Sequence, residues 1–287
     1  MKFYTDDYFH IGQMHLASGK PCQDYSFSGL QGDSAYATVS DGCSTGRHTD
    51  VGARIVALST VNTLRQYLKS KNVPLSRVRQ QVTKQHDIAI SKSMEAFDLE
   101  LQDMLATCLY ACFTPEEGLI SIQGDGAVAK VYKDGSIKLV SYQWENNTPI
   151  YPVYAVDDYK SFISAHRGNP NSKSLKLESR TYNSLGDMEI NQSSLSTDEA
   201  VGGVIEELFA EEIANLSFIT LFTDGVMQVD GINWEDAAMQ LLAFKNLNGE
   251  FAKRRMIRFI KDSKSNGRKG PLDDISFAVI RIAGEEE

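Results

Sequence analysis

Apolar positions along the chain follow two rhythms, and the rhythms come in blocks. In AYATVSDG, Ala35, Ala37 and Val39 alternate with bulkier or polar neighbours, the period of a strand that ends in a turn. From Asp50 the period lengthens. Val51, Ile55, Leu58, Val61, Leu64 and Leu68 recur at spacings of three and four, one apolar stripe on a helix that Asp50 begins or caps. Pro74 separates it from a second helix over about Leu75 to Phe97, where His86 falls among apolar residues and reads as a satisfied, partly buried histidine. TCLYACFT, GLISIQGDG, AVAKVYKDG and SIKLVSY then read as four short strands joined by tight turns, an antiparallel meander. A stretch over about 145–200 is rich in Ser, Asn, Asp and Lys with weak periodicity, and predicts a loop-rich excursion over the surface. SFITLFTDGV predicts another strand, Trp234 to Ile260 has helical spacing, and ISFAVIRI closes the pattern as a strand. Helices and strands in blocks, not in strict alternation, indicate α+β rather than a doubly wound sheet.

Composition narrows the function. The 287 residues show no internal repeat and no interdomain linker, so residues 1–287 are expected to form a single domain. With 42% hydrophobic and 23% charged residues, the chain has the make-up of a globular domain. Its net charge of −9 argues against a non-specific nucleic-acid binder. Acidic residues occupy the opening MKFYTDDYFH, and no later run approaches the ~20 apolar residues of a membrane span, so no membrane partner is expected. Cys22, Cys43, Cys108 and Cys112 form no Cys-x-x-Cys pair, and reduced thiols in the cytoplasm are the expectation.

The chemistry lies in where the aspartates fall. Three apolar strands run into Asp-Gly, at Asp41, Asp125 and Asp224, and Asp273-Asp274 immediately precedes the last strand. Carboxylates fixed at sheet ends can converge on hard divalent cations, and the following glycine lets a backbone carbonyl approach the same ion. Any one Asp-Gly is also a common hairpin turn, which is how KDGS at Asp134 reads. The set, rather than any member, points to a metal site.

The ordered segments GQMHLASGKPCQDYS, VSDGCSTGRHTDVGA, Thr107, GDGAVAKV, LFTDGV and DDISFAVI together resemble the metal-dependent (PPM, type 2C) protein serine/threonine phosphatases, and the GKPCQD form is similar to a bacterial branch. The resemblance implies two antiparallel sheets packed face to face and flanked by helices, with two Mg²⁺ or Mn²⁺ ions at one end. It implies that Asp41 bridges both ions and Gly42 offers its carbonyl. Asp224 and Asp273 hold one ion, and Asp24 supports the other, partly through water. Asp125 matches the acidic position of a third-ion site, although Gly126 stands where the bacterial pattern usually has Ser. The implied reaction is hydrolysis of phosphoserine and phosphothreonine on a protein substrate by a water activated between two ions, opposing a serine/threonine kinase, with Asp41 and Asp224 at its centre.

Three departures stand out. The final motif usually reads Asp-Asn and here is Asp273-Asp274; Asp273 is the expected ligand. Where many members carry an arginine for the substrate phosphate, this chain has Gly19, with Lys20 next to it and His15 nearby as candidate phosphate-binding groups. Cys43 occupies the place of a histidine found in animal members, so no general acid is assigned; a Cys43 nucleophile is a minor alternative, because the loop of glycines and arginine it needs is missing. His10 and His166 read as surface residues. The rival functions are a phosphatase-like binding or regulatory module without turnover, and a small-molecule phosphomonoesterase.

Overall fold

The computed structural model describes residues 1–70, 74–157, 159–165 and 174–284; His166 lies outside them. Twelve strands form two wholly antiparallel sheets. The strands are β1 (Lys2–His10), β2 (Asp24–Gln31), β3 (Ser34–Asp41), β4 (Cys108–Phe113), β5 (Glu117–Gln123), β6 (Gly126–Tyr132), β7 (Ile137–Trp144), β8 (Ser174–Tyr182), β9 (Met188–Ser196), β10 (Val204–Phe209), β11 (Leu216–Phe222) and β12 (Ile275–Ala283). A seven-stranded sheet runs β1-β12-β11-β6-β7-β8-β9, and a five-stranded sheet runs β10-β5-β4-β3-β2.

Among the described residues there are also eight α-helices, besides short 3₁₀ turns: α1 (Gln13–Ser18), α2 (Thr49–Leu68), α3 (Val78–Phe97), α4 (Lys160–Ala165), α5 (Thr197–Ala200), α6 (Ala210–Asn215), α7 (Trp234–Leu242) and α8 (Phe251–Ser265). Helices α2 and α3 cover the outer face of the five-stranded sheet, and α7 and α8 that of the seven-stranded sheet. This is the expected helix–sheet–sheet–helix sandwich. Strands covered on both faces lose their alternation, which is why β4 and β12 read as nearly continuous apolar runs. In β12, Ile275, Phe277 and Val279 face Ala238, Phe251 and Phe259 of the outer helices, while Ala278, Ile280 and Ile282 fill the space between the sheets. Each buried large side chain of this kind contributes roughly 1.5–3 kcal/mol. His86 is buried with Nε2 2.8 Å from the Thr60 hydroxyl, and burial lowers its pKa to about 4.

Three expectations need correction, and one stretch left without an element gains one. The stretch from β4 to β7 is not one meander. β4 and β5 belong to the five-stranded sheet and β6 and β7 to the other, because the chain crosses between sheets at Gly124-Asp125-Gly126. Gly124 (φ +105°) and Gly126 (φ +145°) make this turn in backbone conformations that side chains rarely adopt. The 145–200 excursion is only partly irregular: β8 and β9 form a hairpin at the sheet edge, where exposure of β9 leaves no apolar rhythm to read. The helical stretch from Trp234 is two helices, α7 and α8, with residues 243–250 between them. Finally, the polar opening is strand β1. Its acids have structural partners: Asp6 accepts from the Ala252 amide at the start of α8 (2.6 Å), and Asp7 accepts from Ser26 and Ser28 of β2. Among the described residues, no helix is long and apolar enough to cross a membrane.

Candidate metal centre

Both sheets bring carboxylates to the same end of the sandwich. Asp24 opens β2 and Asp41 closes β3, and the two are directly paired in register, so their side chains share one face. Thr107 fixes the Asp41 backbone from both sides: its amide donates to the Asp41 carbonyl (2.8 Å) and its hydroxyl accepts from the Asp41 amide (2.9 Å). The Gly42 amide donates to the Gln23 carbonyl at 3.1 Å. Asp125 sits at the crossing between the sheets, where the Trp144 indole donates to the Gly124 carbonyl at 3.1 Å.

The seven-stranded sheet supplies the rest. Asp224 begins the 3₁₀ turn Asp224–Met227 at the end of β11, and Asp273 precedes β12. The Gln228 side-chain amide spans the two, donating to Asp224 Oδ2 at 3.0 Å and to Asp273 Oδ2 at 3.2 Å. Thr223 links the sheets: its hydroxyl donates to Asp24 Oδ2 at 2.6 Å and accepts from the Ser276 amide at 2.9 Å.

Electrostatics confirm that these groups face one another. Burial, and then the charges of Asp274 and Asp224, hold the Asp24 carboxyl well above its ordinary range against the opposing Thr223 bond. Asp41 is raised by burial and by Asp24, Asp224 and Asp125. Burial and Asp224 push Asp125 up to about 8, and burial with the Asp273 charge takes Asp224 to about 6. Asp24 Oδ1 is buried without any hydrogen-bond partner. Crowded carboxylates of this kind, one with an orphaned oxygen, could hold a hard cation; without positive charge they are costly.

Other predicted residues are placed differently. Asp273 faces Asp224, whereas Asp274 is turned away and accepts three hydrogen bonds, one of them from His15 Nδ1 at 2.7 Å. His15 is therefore buried and engaged, and the surroundings give no support to its expected contact with substrate phosphate. Lys20 is exposed, with Nζ 3.4 Å from the Ser44 carbonyl beside the loop that follows Gly42. Cys43 Sγ lies 3.1 Å from the Thr45 hydroxyl, and the Cys22 thiol is pushed far up by burial and by Asp24 and Asp274. A thiol raised as that of Cys22 is does not resemble an activated thiolate. Asp134 is a turn residue, accepting from the Ser136 amide at 2.8 Å.

Sequence reasoning passed over several groups that shape the centre. Gln228 lies four residues after Asp224 on a helical turn, a spacing that brings side chains together. Thr223 adjoins Asp224 in the sequence. Tyr151 is buried beside Cys43, Asp125 and Asp41, its phenol raised by burial first and then by those groups, and no local pattern announces it.

Comparison with known proteins places the fold. No curated protein sequence matches the chain. Among solved structures, it is similar to the serine/threonine phosphatase Stp1 from Staphylococcus aureus, with 11% identity, 99% of this chain and 96% of that one covered, and a TM-score of 0.57. It is likewise similar to the serine/threonine phosphatase of S. agalactiae, with 14% identity, coverage of 98% and 100%, and a TM-score of 0.55. The catalytic domain of the serine/threonine protein phosphatase PstP, solved in complex with two manganese ions, matches at 14% identity and TM-score 0.55, covering 98% of this chain and 99% of that one. At such identities the likeness is one of fold. The family model for protein phosphatase 2C goes further, because it matches the sequence itself over residues 11–261, a span that includes Asp24, Asp41, Asp125 and Asp224. With the sandwich and the carboxylate cluster in place, that match establishes that the chain belongs to the protein phosphatase 2C family.

Proposed function

We propose that the chain is a protein serine/threonine phosphatase whose carboxylate cluster holds two divalent cations of the Mg²⁺/Mn²⁺ class. The observation that carries this reading is the convergence of Asp24, Asp41, Asp125, Asp224 and Asp273, the first four with carboxyls raised by burial and by neighbouring carboxylates, and Asp24 with a bare buried oxygen. When bound, the cations supply Lewis acidity that ionises a water near neutral pH and positive charge that neutralises the phosphoryl oxygens.

The protein's own residues do the holding. Asp41 would serve both cations and the Gly42 carbonyl would add a donor, Asp224 and Asp273 would hold one cation, and Asp24 would support the other, partly through water. Thr223 presents Asp24 by occupying Oδ2 and leaving Oδ1 free. Gln228 holds Asp224 and Asp273 in a shared orientation. Asp125, buried and next to Asp224, is the candidate for a third cation. Lys20 remains the phosphate-facing candidate by its place beside the loop after Gly42.

Twelve strands in two mutually packed sheets support one catalytic unit over residues 1–287. Four free thiols favour the reducing cytoplasm, where the enzyme would oppose a serine/threonine kinase. Two measurements test the reading. Mn²⁺ titration is expected to find at least two sites per chain and to lose the tighter binding in Asp41→Asn. Turnover of phosphothreonine peptides is expected to exceed that of sugar and nucleotide phosphates; the reverse order would make the chain a small-molecule phosphomonoesterase, and cation binding without turnover a regulatory module.

A further inference from the structure

Once the cluster is assigned, His15 and Asp274 remain beside it. The Asp274 carboxylate is 2% exposed and takes three donors: the Gly12 amide on Oδ1 (2.7 Å), and the Gln23 amide (2.6 Å) and His15 Nδ1 (2.7 Å) on Oδ2. All three donors belong to the segment that leads into Asp24, and the acceptor directly follows Asp273. Two backbone bonds run the same way, from the Gln13 amide to the Pro271 carbonyl (3.1 Å) and from the Met14 amide to the Leu272 carbonyl (2.9 Å). Contact is so close that a Cβ on Gly12 would stand 2.1 Å from the Asp273 carbonyl carbon, so only glycine fits there.

The location of these bonds matters. Asp24 opens a strand of the five-stranded sheet and Asp273 precedes a strand of the seven-stranded sheet, and the two sheets share no ladder. The relative position of the two carboxylates therefore depends on the packing of the sheets and on the backbone and side-chain bonds between their ends. A buried carboxylate beside those of Asp24 and Asp273 is costly unless its oxygens are occupied by donors. His15 supplies the one side-chain donor, and its Nε2 lies 4.0 Å from Asp273 Oδ1. His15, Asp273 and Asp274 bring ligand atoms within 4.8 Å of one another, the spacing of a cation site. Both Asp274 oxygens and His15 Nδ1 are consumed by the bonds just described, so the trio is a clamp instead.

We propose that His15 is a positioning residue: with Asp274 it staples the segment before Asp24 to the segment carrying Asp273, so the cation affinity of the cluster depends on an imidazole that is not itself a ligand. The inference rests on the cation-binding reading. It is tested on the full chain by Mn²⁺ binding, followed by electron paramagnetic resonance of the free ion, for the wild type and three variants. His15→Asn places an amide nitrogen where Nδ1 was, and His15→Gln places one nearer Nε2. Second-sphere partners of metal ligands typically control affinity about 10–100-fold, so His15→Ala and His15→Gln are expected to weaken Mn²⁺ binding about tenfold or more, and His15→Asn to stay within about threefold of wild type.

Equal affinity in the Asn and Gln variants, or wild-type affinity in a folded His15→Ala, overturns the inference. Should His15→Ala fail to fold, the Asn and Gln pair decides alone. A rise in KM for phosphopeptide at saturating Mn²⁺, with Mn²⁺ affinity unchanged, would make His15 a phosphate ligand and also overturn it. A wild-type protein that binds no Mn²⁺ overturns the functional reading, and the inference with it.

Discussion

Substituting Asp125 by Asn is expected to stabilise the protein when cations are removed, although it damages the centre. Burial and the Asp224 charge raise the Asp125 carboxyl from 3.8 to about 8, so between those values the folded state holds a proton that the unfolded state releases. A raised carboxyl pKa opposes folding above the unfolded value. At pH 7 the difference spans about three units, and at about 1.4 kcal/mol per unit the cost reaches ~4 kcal/mol. Solvent penetration and protein relaxation weaken interior electrostatics, which brings the expected gain to ~2 kcal/mol. For a chain of this size that corresponds to about 4–8 °C in Tm. The assay is thermal unfolding at pH 7 in chelator and in Mn²⁺. In chelator, Asp125→Asn melts above the wild type; in Mn²⁺ the wild type gains more than the variant, because ligand bound only by the folded state adds stability. A variant that melts at or below the wild type in chelator would refute the view that uncompensated charge strains the cluster.

The same shifts set a pH dependence. In chelator, wild-type stability falls as pH rises from 3.8 through about 6 for Asp224 and about 8 for Asp125, and Mn²⁺ flattens the decline; increasing stability over that window would contradict it. Trp144→Phe removes the donor to the Gly124 carbonyl and is expected to cost ~1–2 kcal/mol in urea unfolding, with weaker cation binding at Asp125; an unchanged midpoint would show that the indole does not anchor the crossing. Cys43→Ala keeps its metal-dependent turnover, and iodoacetamide does not inactivate the wild type at saturating Mn²⁺; inactivation by either route would revive a thiol mechanism.

Much of the carboxylate cluster was legible because its members lie at strand ends. An apolar run that stops at Asp-Gly marks a sheet end and a carboxylate together, as at Asp41, Asp125 and Asp224, and Asp273 stands immediately before the last strand. Legibility failed where position depends on another part of the chain. GLISIQGDG and AVAKVYKDG have the local pattern of consecutive paired strands, and only the packing of two sheets decides that the chain crosses at Asp125 instead of pairing there. The β8–β9 hairpin was hidden because its outer strand is exposed and has no buried face to impose a rhythm. His15 was a candidate for substrate phosphate because it lies near Gly19, the place of the family's arginine; its contact with Asp274, 259 residues away, is beyond any local signal. Asp273 and Asp274 are distinguished by Gln228 on one and three donors on the other, a difference that spacing does not encode.

The most direct test of the central claim is phosphate release from a phosphothreonine peptide, measured with Mn²⁺, with Mg²⁺ and with chelator, for the wild type and for Asp41→Asn. Release that requires a divalent cation and disappears in Asp41→Asn is the predicted result. Release that persists in chelator, or survives in Asp41→Asn at the wild-type rate, would contradict it.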